Sequence, residues 1–312
     1  MSRYIIACIA ATASIVILWR SHQSVANVAQ SKPTPIANYA PTPTILKQKE
    51  TLPITSPADA LDKILPLLKL AKAGDRDAQF KIAKIMRSCP NYTHTDGTRM
   101  SFEETIAEYR VRGSEVENIH RAFEQCSRMW KADDLGTAGE WLALATKAKQ
   151  PQAMALTAED LLWNMNRNAM FHNALAGVNP EPVVTDPALD TTLDPRKLLL
   201  EAIPSNNPDV YYAIAHNALL LFPGNPDALT LYYSWMLVAC QRGLDCSKNS
   251  ELAGFNCSHN IDACNQFKSP GDYALWLASN DRVDLSQVET HAADITANLD
   301  AGQYDSLGLG AQ

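Results

Sequence analysis

Glycine is scarce in this chain, thirteen of 312 residues, and runs that alternate β-branched with polar residues are few. That shortage argues against sheets and leaves Ala- and Leu-rich helices as the building material. Catalytic signatures are also missing. There is no HExxH, no GxSxG, no phosphate-cradling glycine loop and no Ser-x-x-Lys. Metalloprotease, hydrolase-elbow, nucleotide-binding and penicillin-type acylation chemistry therefore all lack their signature. Positive charge is in deficit too: the formal net charge is −7, and near the C-terminus Asp281, Asp284, Glu289, Asp294, Asp300 and Asp305 face only Arg282. A polyanion is repelled by such a surface, so nucleic acid is not the expected partner.

The longest apolar run is short. Tyr4 to Trp19 carries no charge and is bracketed by Arg3 and Arg20. Its 16 residues fall between a signal-peptide core and a full membrane span. Residues 1–23 read either as a signal anchor or as a signal peptide cleaved near Ser24-Val25-Ala26. Both alternatives remain open, and both direct the rest of the chain out of the cytoplasm, to a periplasmic or secreted location. Any membrane contact is expected through this segment alone. Residues 24–55 are rich in Ala, Gln, Thr and Pro, with Pro33, Pro35, Pro41, Pro43 and Pro53 spaced so that no helix can run. This composition predicts a disordered linker.

From Ser56 onward helix starts repeat one pattern: Ser56-Pro57, Gln150-Pro151, Asn207-Pro208 and Asn225-Pro226. A side chain that accepts from orphan N–H groups precedes a proline with no N–H to leave unsatisfied. Two stretches match at an offset of 75, Leu67 to Ala83 and Leu142 to Ala158, aligning Ala73 with Ala148, Ala78 with Ala153 and Ala83 with Ala158. A looser copy starts at Leu199. The segment Ala71 to Gln79, AKAGDRDAQ, followed by Ile82-Ala83, resembles the hairpin centre of Sel-like repeats, relatives of tetratricopeptide repeats found in exported bacterial proteins. Glu140-Trp141-Leu142 with Ala145, Ala148, Ala153 and Ala158 resembles the same element. The second copy departs from the pattern with Lys149-Gln150-Pro151, and a spacing near 36 residues is not kept. The resemblance implies stacked helical hairpins, α-solenoid-like, used as a binding scaffold, with no catalytic residues. The expected fold is all-α, with a repeat-like region at 56–222 and a disulfide-stapled helical module at 223–312.

One of the seven cysteines, Cys8, sits in the apolar segment; the other six form an even set in a chain marked for export. Disulfides are expected. Cys89 closes a helix and Cys126 lies in a helix over about Ser114 to Trp130, so that pair staples a hairpin. For the rest, three connectivities exist; similar local spacing favours Cys240–Cys246 and Cys257–Cys264. Zinc is disfavoured because gaps of five and six residues are too wide for a knuckle. No metal and no cofactor is expected.

Two groups of side chains are candidates for chemistry or binding. The polar stretch His94 to Arg99 leads to Glu103, Glu104, Glu117 and His120, of which Glu117 and His120 share a helix face. Paired carboxylates in a cleft hydrolyse glycosides; an amphipathic helix surface accounts for the same residues. Aromatic side chains form the second group. Trp141, Tyr212 and Tyr233 are candidate anchors for a peptide, although most rings are expected to fill gaps between helices. The sequence thus points to a non-catalytic cell-envelope scaffold or adaptor that binds a protein or peptide. The alternative is a helical envelope glycan hydrolase using carboxylates of the 94–120 region.

Overall fold

The computed structural model describes residues 59–94, 98–109, 114–174, 188–247, 250, 252–253, 264–265 and 267–309. The N-terminal segment, the linker, Ser56-Pro57, residues 95–97 and Cys257 lie outside them. Thr55–Gln312 forms one compact unit. Among the described residues twelve α-helices appear and no strand, only an isolated bridge between Thr93 and Arg99.

The first hairpin shows how sequence makes the fold. Helix α1 (Ala60–Lys72) is capped by Asp59, whose carboxylate accepts from the Leu61 N–H, and it buries Ala60, Ile64 and Ala71. It ends at Gly74, whose φ of 94° is the left-handed conformation that closes a helix without a Cβ penalty. Asp75 then caps helix α2 (Arg76–Arg87) by accepting from the Ala78 N–H at 2.8 Å. Ile64 and Ile82 are fully buried; truncating either to Ala costs about 2–5 kcal/mol. After α2 comes an excursion: helix α3 (Phe102–Tyr109) and helix α4 (Ser114–Trp130). Cys89 and Cys126, with Cα atoms 5.8 Å apart, are disulfide-bonded and tie α4 to the end of α2.

The second hairpin repeats the first. Helix α5 (Ala138–Lys147) begins with a capping box in which Thr137 and Glu140 satisfy each other's backbone N–H. It leads into helix α6 (Pro151–Ala174). Lys149 takes the left-handed conformation of Gly74, with φ 58°, and Gln150 replaces Asp75, its Oε1 accepting from the Ala153 N–H at 2.6 Å. Both turns carry the same closing bond, Asp75 N–H to Leu70 O in the first and Gln150 N–H to Ala145 O in the second, each 3.0 Å. The apparent departure at Lys149-Gln150-Pro151 thus preserves the turn geometry. Ala78, Ala153, Ala83 and Ala158, aligned in sequence, are all buried.

The chain continues through helix α7 (Pro195–Ala202), helix α8 (Pro208–His216) and the short helix α9 (Ala218–Leu221). Helix α10 (Ala228–Gln241), helix α11 (Asp272–Asn280) and helix α12 (Leu285–Asp300) complete it. Asn206, at φ 53°, and Asn207, capping α8 through the Asp209 N–H, form a third version of the hairpin turn. The Asn225 signal is displaced: α10 starts at Ala228, and Asn225 instead accepts from the Asp227 N–H in a turn before it. Helix α10 buries eight consecutive residues, Tyr233 to Cys240, because α8, α11 and α12 enclose it. Tyr211 and Trp235, both 1% exposed with rings 6.1 Å apart, centre this region. Cys240 and Cys246 are disulfide-bonded across the turn at Gly243. Cys264 is buried and disulfide-bonded.

Two hydrophobic clusters make up the interior. One draws on residues 60 to 153 and the other on 154 to 309, so they divide at the start of α6, and Phe222 lies within the second. Side chains link successive hairpins at constant offsets. Arg76 Nη1 donates to Lys149 O at 3.0 Å, and Arg87 donates both Nη groups to Asp160 at 2.6 and 2.9 Å, an offset of 73 both times. Gln152 donates to Asp209, and His216 Nδ1 lies 2.6 Å from Glu159 Oε1, both at an offset of 57. A constant offset at two points along a helix pair means parallel helices in register. Helices α2, α6 and α8 therefore run parallel, bridged by side chains over about 16 Å for the first pair and about 10 Å for the second, while α2 packs directly on α5, and α6 on α5, α7 and α8.

Candidate functional site

Helix α5 forms one wall of an open concavity. Two adjoining hollows, of about 590 and about 470 Å³, share Ala143, Lys147 and Ala188 and form a continuous trough. The first is walled by Leu135, Gly136, Trp141 and Leu144. The second lies against Leu142, Leu189, Leu193 and Leu198, with Thr146 and Thr157 joined by a buried 2.8 Å hydrogen bond between their hydroxyls. Leu144 is 47% exposed, a large apolar side chain at the mouth.

The polar rim is held by local structure. Trp141 Nε1 donates to Leu135 O at 2.6 Å, which fixes the indole in the wall. Gly136 has φ 69°, and a Cβ there would meet Glu140 Oε2 at 2.8 Å; glycine lets the Glu140 carboxylate fold back onto the Thr137 N–H. Asp190 accepts from the Thr192 hydroxyl and N–H, and these bonds hold its carboxyl below the usual carboxylate range. Asp160 is engaged by Arg87. Among the described residues, three carboxylates without a cationic partner, Asp134, Glu140 and Asp190, thus surround an apolar floor that carries one lysine, Lys147.

The sequence candidates are placed as follows. Glu103, Glu104, Glu117 and His120 are all exposed. Glu104 closes a capping box with Ser101, accepting its N–H at 2.7 Å, and this bond, more than His94 at 3.8 Å, draws its carboxyl downward. A glycosidase acid needs the opposite shift. His120 lies 3.5 Å from Glu124 and packs edge-on against Phe102. Beneath them Tyr92, Phe102, Phe123 and Trp130 form a satellite cluster, with Arg99 4.4 Å over the Trp130 ring.

The aromatic candidates are not brought together. Trp141 is buried in the first cluster and lines the trough. Tyr212 and Tyr233 belong to the second cluster. Tyr233 is 4% exposed and donates to Asp281. Tyr212 is half-buried and stacked on His216; burial pushes its phenol up to about 12, with Glu159 adding to the shift. Tyr232 is raised by burial as well. These phenols are neutral donors near pH 7. Sequence reasoning reached Trp141 but missed Asp134, Leu144, Lys147 and Asp190, because only tertiary packing sets the 188–198 segment against α5. Among the described residues, no helix is long and apolar enough to cross a membrane, and no cluster of His, Cys, Asp and Glu is suited to a metal ion. No protein family, curated protein or solved structure matches the chain.

Proposed function

We propose that the chain is a non-catalytic extracytoplasmic adaptor, a stack of helical hairpins related in design to Sel-like repeats, that binds a protein or peptide of the cell envelope. The observation that carries this reading is the parallel arrangement of α2, α6 and α8, bridged at one constant offset at two points along each pair. Parallel stacking of successive hairpins is how repeat proteins create extended binding surfaces. The bonded pairs Cys89–Cys126 and Cys240–Cys246 are compatible with an oxidising compartment. Residues 4–19 supply the route there. The hydrolase alternative gains no support from Glu104, which serves as a helix cap.

The test uses the full chain, purified under non-reducing conditions, in two assays: capture of partners from solubilised envelope, and turnover of cell-wall glycan. The expected outcome is a saturable partner and no glycan turnover. Glycan release that disappears on changing Glu103, Glu104 or Glu117 to alanine, with no partner captured, would overturn the proposal.

A further inference from the structure

The trough beside α5 has a chemistry that selects among peptides. Resting on the adaptor reading, we infer that it is the docking site for a basic amphipathic segment of the partner, with aliphatic side chains entering the two hollows and lysine or arginine meeting the rim. Charge complementarity is the argument. The floor is aliphatic and aromatic, so it recognises apolar side chains by burial. The carboxylates of Asp134, Glu140 and Asp190 stand around it, two of them fixed by backbone hydrogen bonds, against the single ammonium of Lys147. Asp160 adds nothing to this balance because Arg87 neutralises it. An acidic segment would place like charges against the rim, a juxtaposition that suppresses wrong partners. The overall charge of −7 reinforces the bias by steering cationic partners inward.

Leu144 is the lever on the apolar part, since it is exposed at the mouth and removing it disturbs no core contact on the scale of Leu142 or Trp141. Asp134 is the lever on the charge part, being exposed and outside the capping box.

The experiment measures binding of the full chain to two short fluorescent peptides by anisotropy. One alternates leucine-rich positions with lysine, and the other keeps the same leucines but carries glutamate. The lysine peptide is expected to bind, and the glutamate peptide to bind at least about tenfold more weakly. Leu144→Glu should weaken the lysine peptide by about tenfold or more. Asp134→Lys should weaken it by a few-fold, an effect that shrinks with added salt. Asp305→Lys makes the same charge change elsewhere on the exposed surface and controls for bulk attraction. Circular dichroism of each variant checks folding. The inference is overturned if the lysine peptide does not bind, if the two peptides bind equally, or if Asp305→Lys matches Asp134→Lys. It is also overturned if the captured envelope partner is retained by both Leu144→Glu and Asp134→Lys. That last result leaves the adaptor reading standing, whereas glycan turnover without a partner removes both.

Discussion

The two described disulfides offer a comparison in which most unknowns cancel. Cys89–Cys126 closes a separation of 37 residues and Cys240–Cys246 one of 6. All four cysteines are buried, at 8%, 3%, 1% and 3% exposure, so replacing each pair by serine incurs similar desolvation and packing losses. The remaining difference is the entropy that each link removes from the unfolded chain, about 4 kcal/mol for the longer loop and about 2 for the shorter. The gap between them is about 1.6 kcal/mol, and it is more secure than either value because shared errors drop out. Urea unfolding of Cys89→Ser/Cys126→Ser and of Cys240→Ser/Cys246→Ser, followed by far-UV circular dichroism, measures both losses. The slope with denaturant must be compared alongside the midpoint, since removing a link expands the unfolded state. Equal losses, or a larger loss for the 240–246 pair, would refute the reasoning. Such a result would mean that the short link acts through the native state, by holding the end of α10 in place.

Three further outcomes follow from particular geometry. Lys149→Gly places an achiral residue at φ 58° and should stabilise the protein by about 0.5–1 kcal/mol; a loss in thermal midpoint contradicts the assignment of that turn. A double-mutant cycle on Arg87 and Asp160 should return a coupling of only about 0.5 kcal/mol, because the side chains are 38% and 26% exposed, and salt should reduce it. His216 is raised above its ordinary value, chiefly by its hydrogen bond to Glu159. Its contribution to stability is therefore complete below the unfolded value near 6.5 and fades as pH rises through the folded value. His216→Gln should flatten the decline in stability above pH about 6.5, and an unchanged slope counts against the link between α6 and α8.

Much of the helical layout was legible because its signals are local. Asn207-Pro208 and Gln150-Pro151 begin helices where a cap followed by proline must, and α4 spans Ser114–Trp130 as its periodicity requires. Cys89 follows α2 by two residues, and Gly243 takes the left-handed conformation after α10. Asn225-Pro226-Asp227 misled because an Asx side chain serves a turn as readily as a helix start, and here Asn225 closes the turn before α10. The trough was not legible. Its walls come from α5 and the 188–198 segment, more than 40 residues apart in sequence, and nothing local in Asp134 or Asp190 distinguishes a rim carboxylate from an ordinary surface one.

The linking side chains also show that the three hairpin turns are not related by equal steps. In the sequence alignment Gly74 matches Lys149 at an offset of 75, yet the contacts between α2 and α6 run at 73, so the second helix is displaced by two residues, about 3 Å along its axis. Between α6 and α8 the turn alignment, Gln150 with Asn207, and the contacts, Gln152 with Asp209, share an offset of 57, and no displacement occurs. The two steps therefore differ in length and in slip. The first step is lengthened by the disulfide-tied excursion through α3 and α4, which the second lacks. A single repeating displacement therefore does not relate the three hairpins. What is common to the steps is the turn, left-handed at Gly74, Lys149 and Asn206 and capped by the next side chain. That backbone shape is reached by glycine, lysine and asparagine alike, so three unlike residue pairs close three turns of one geometry.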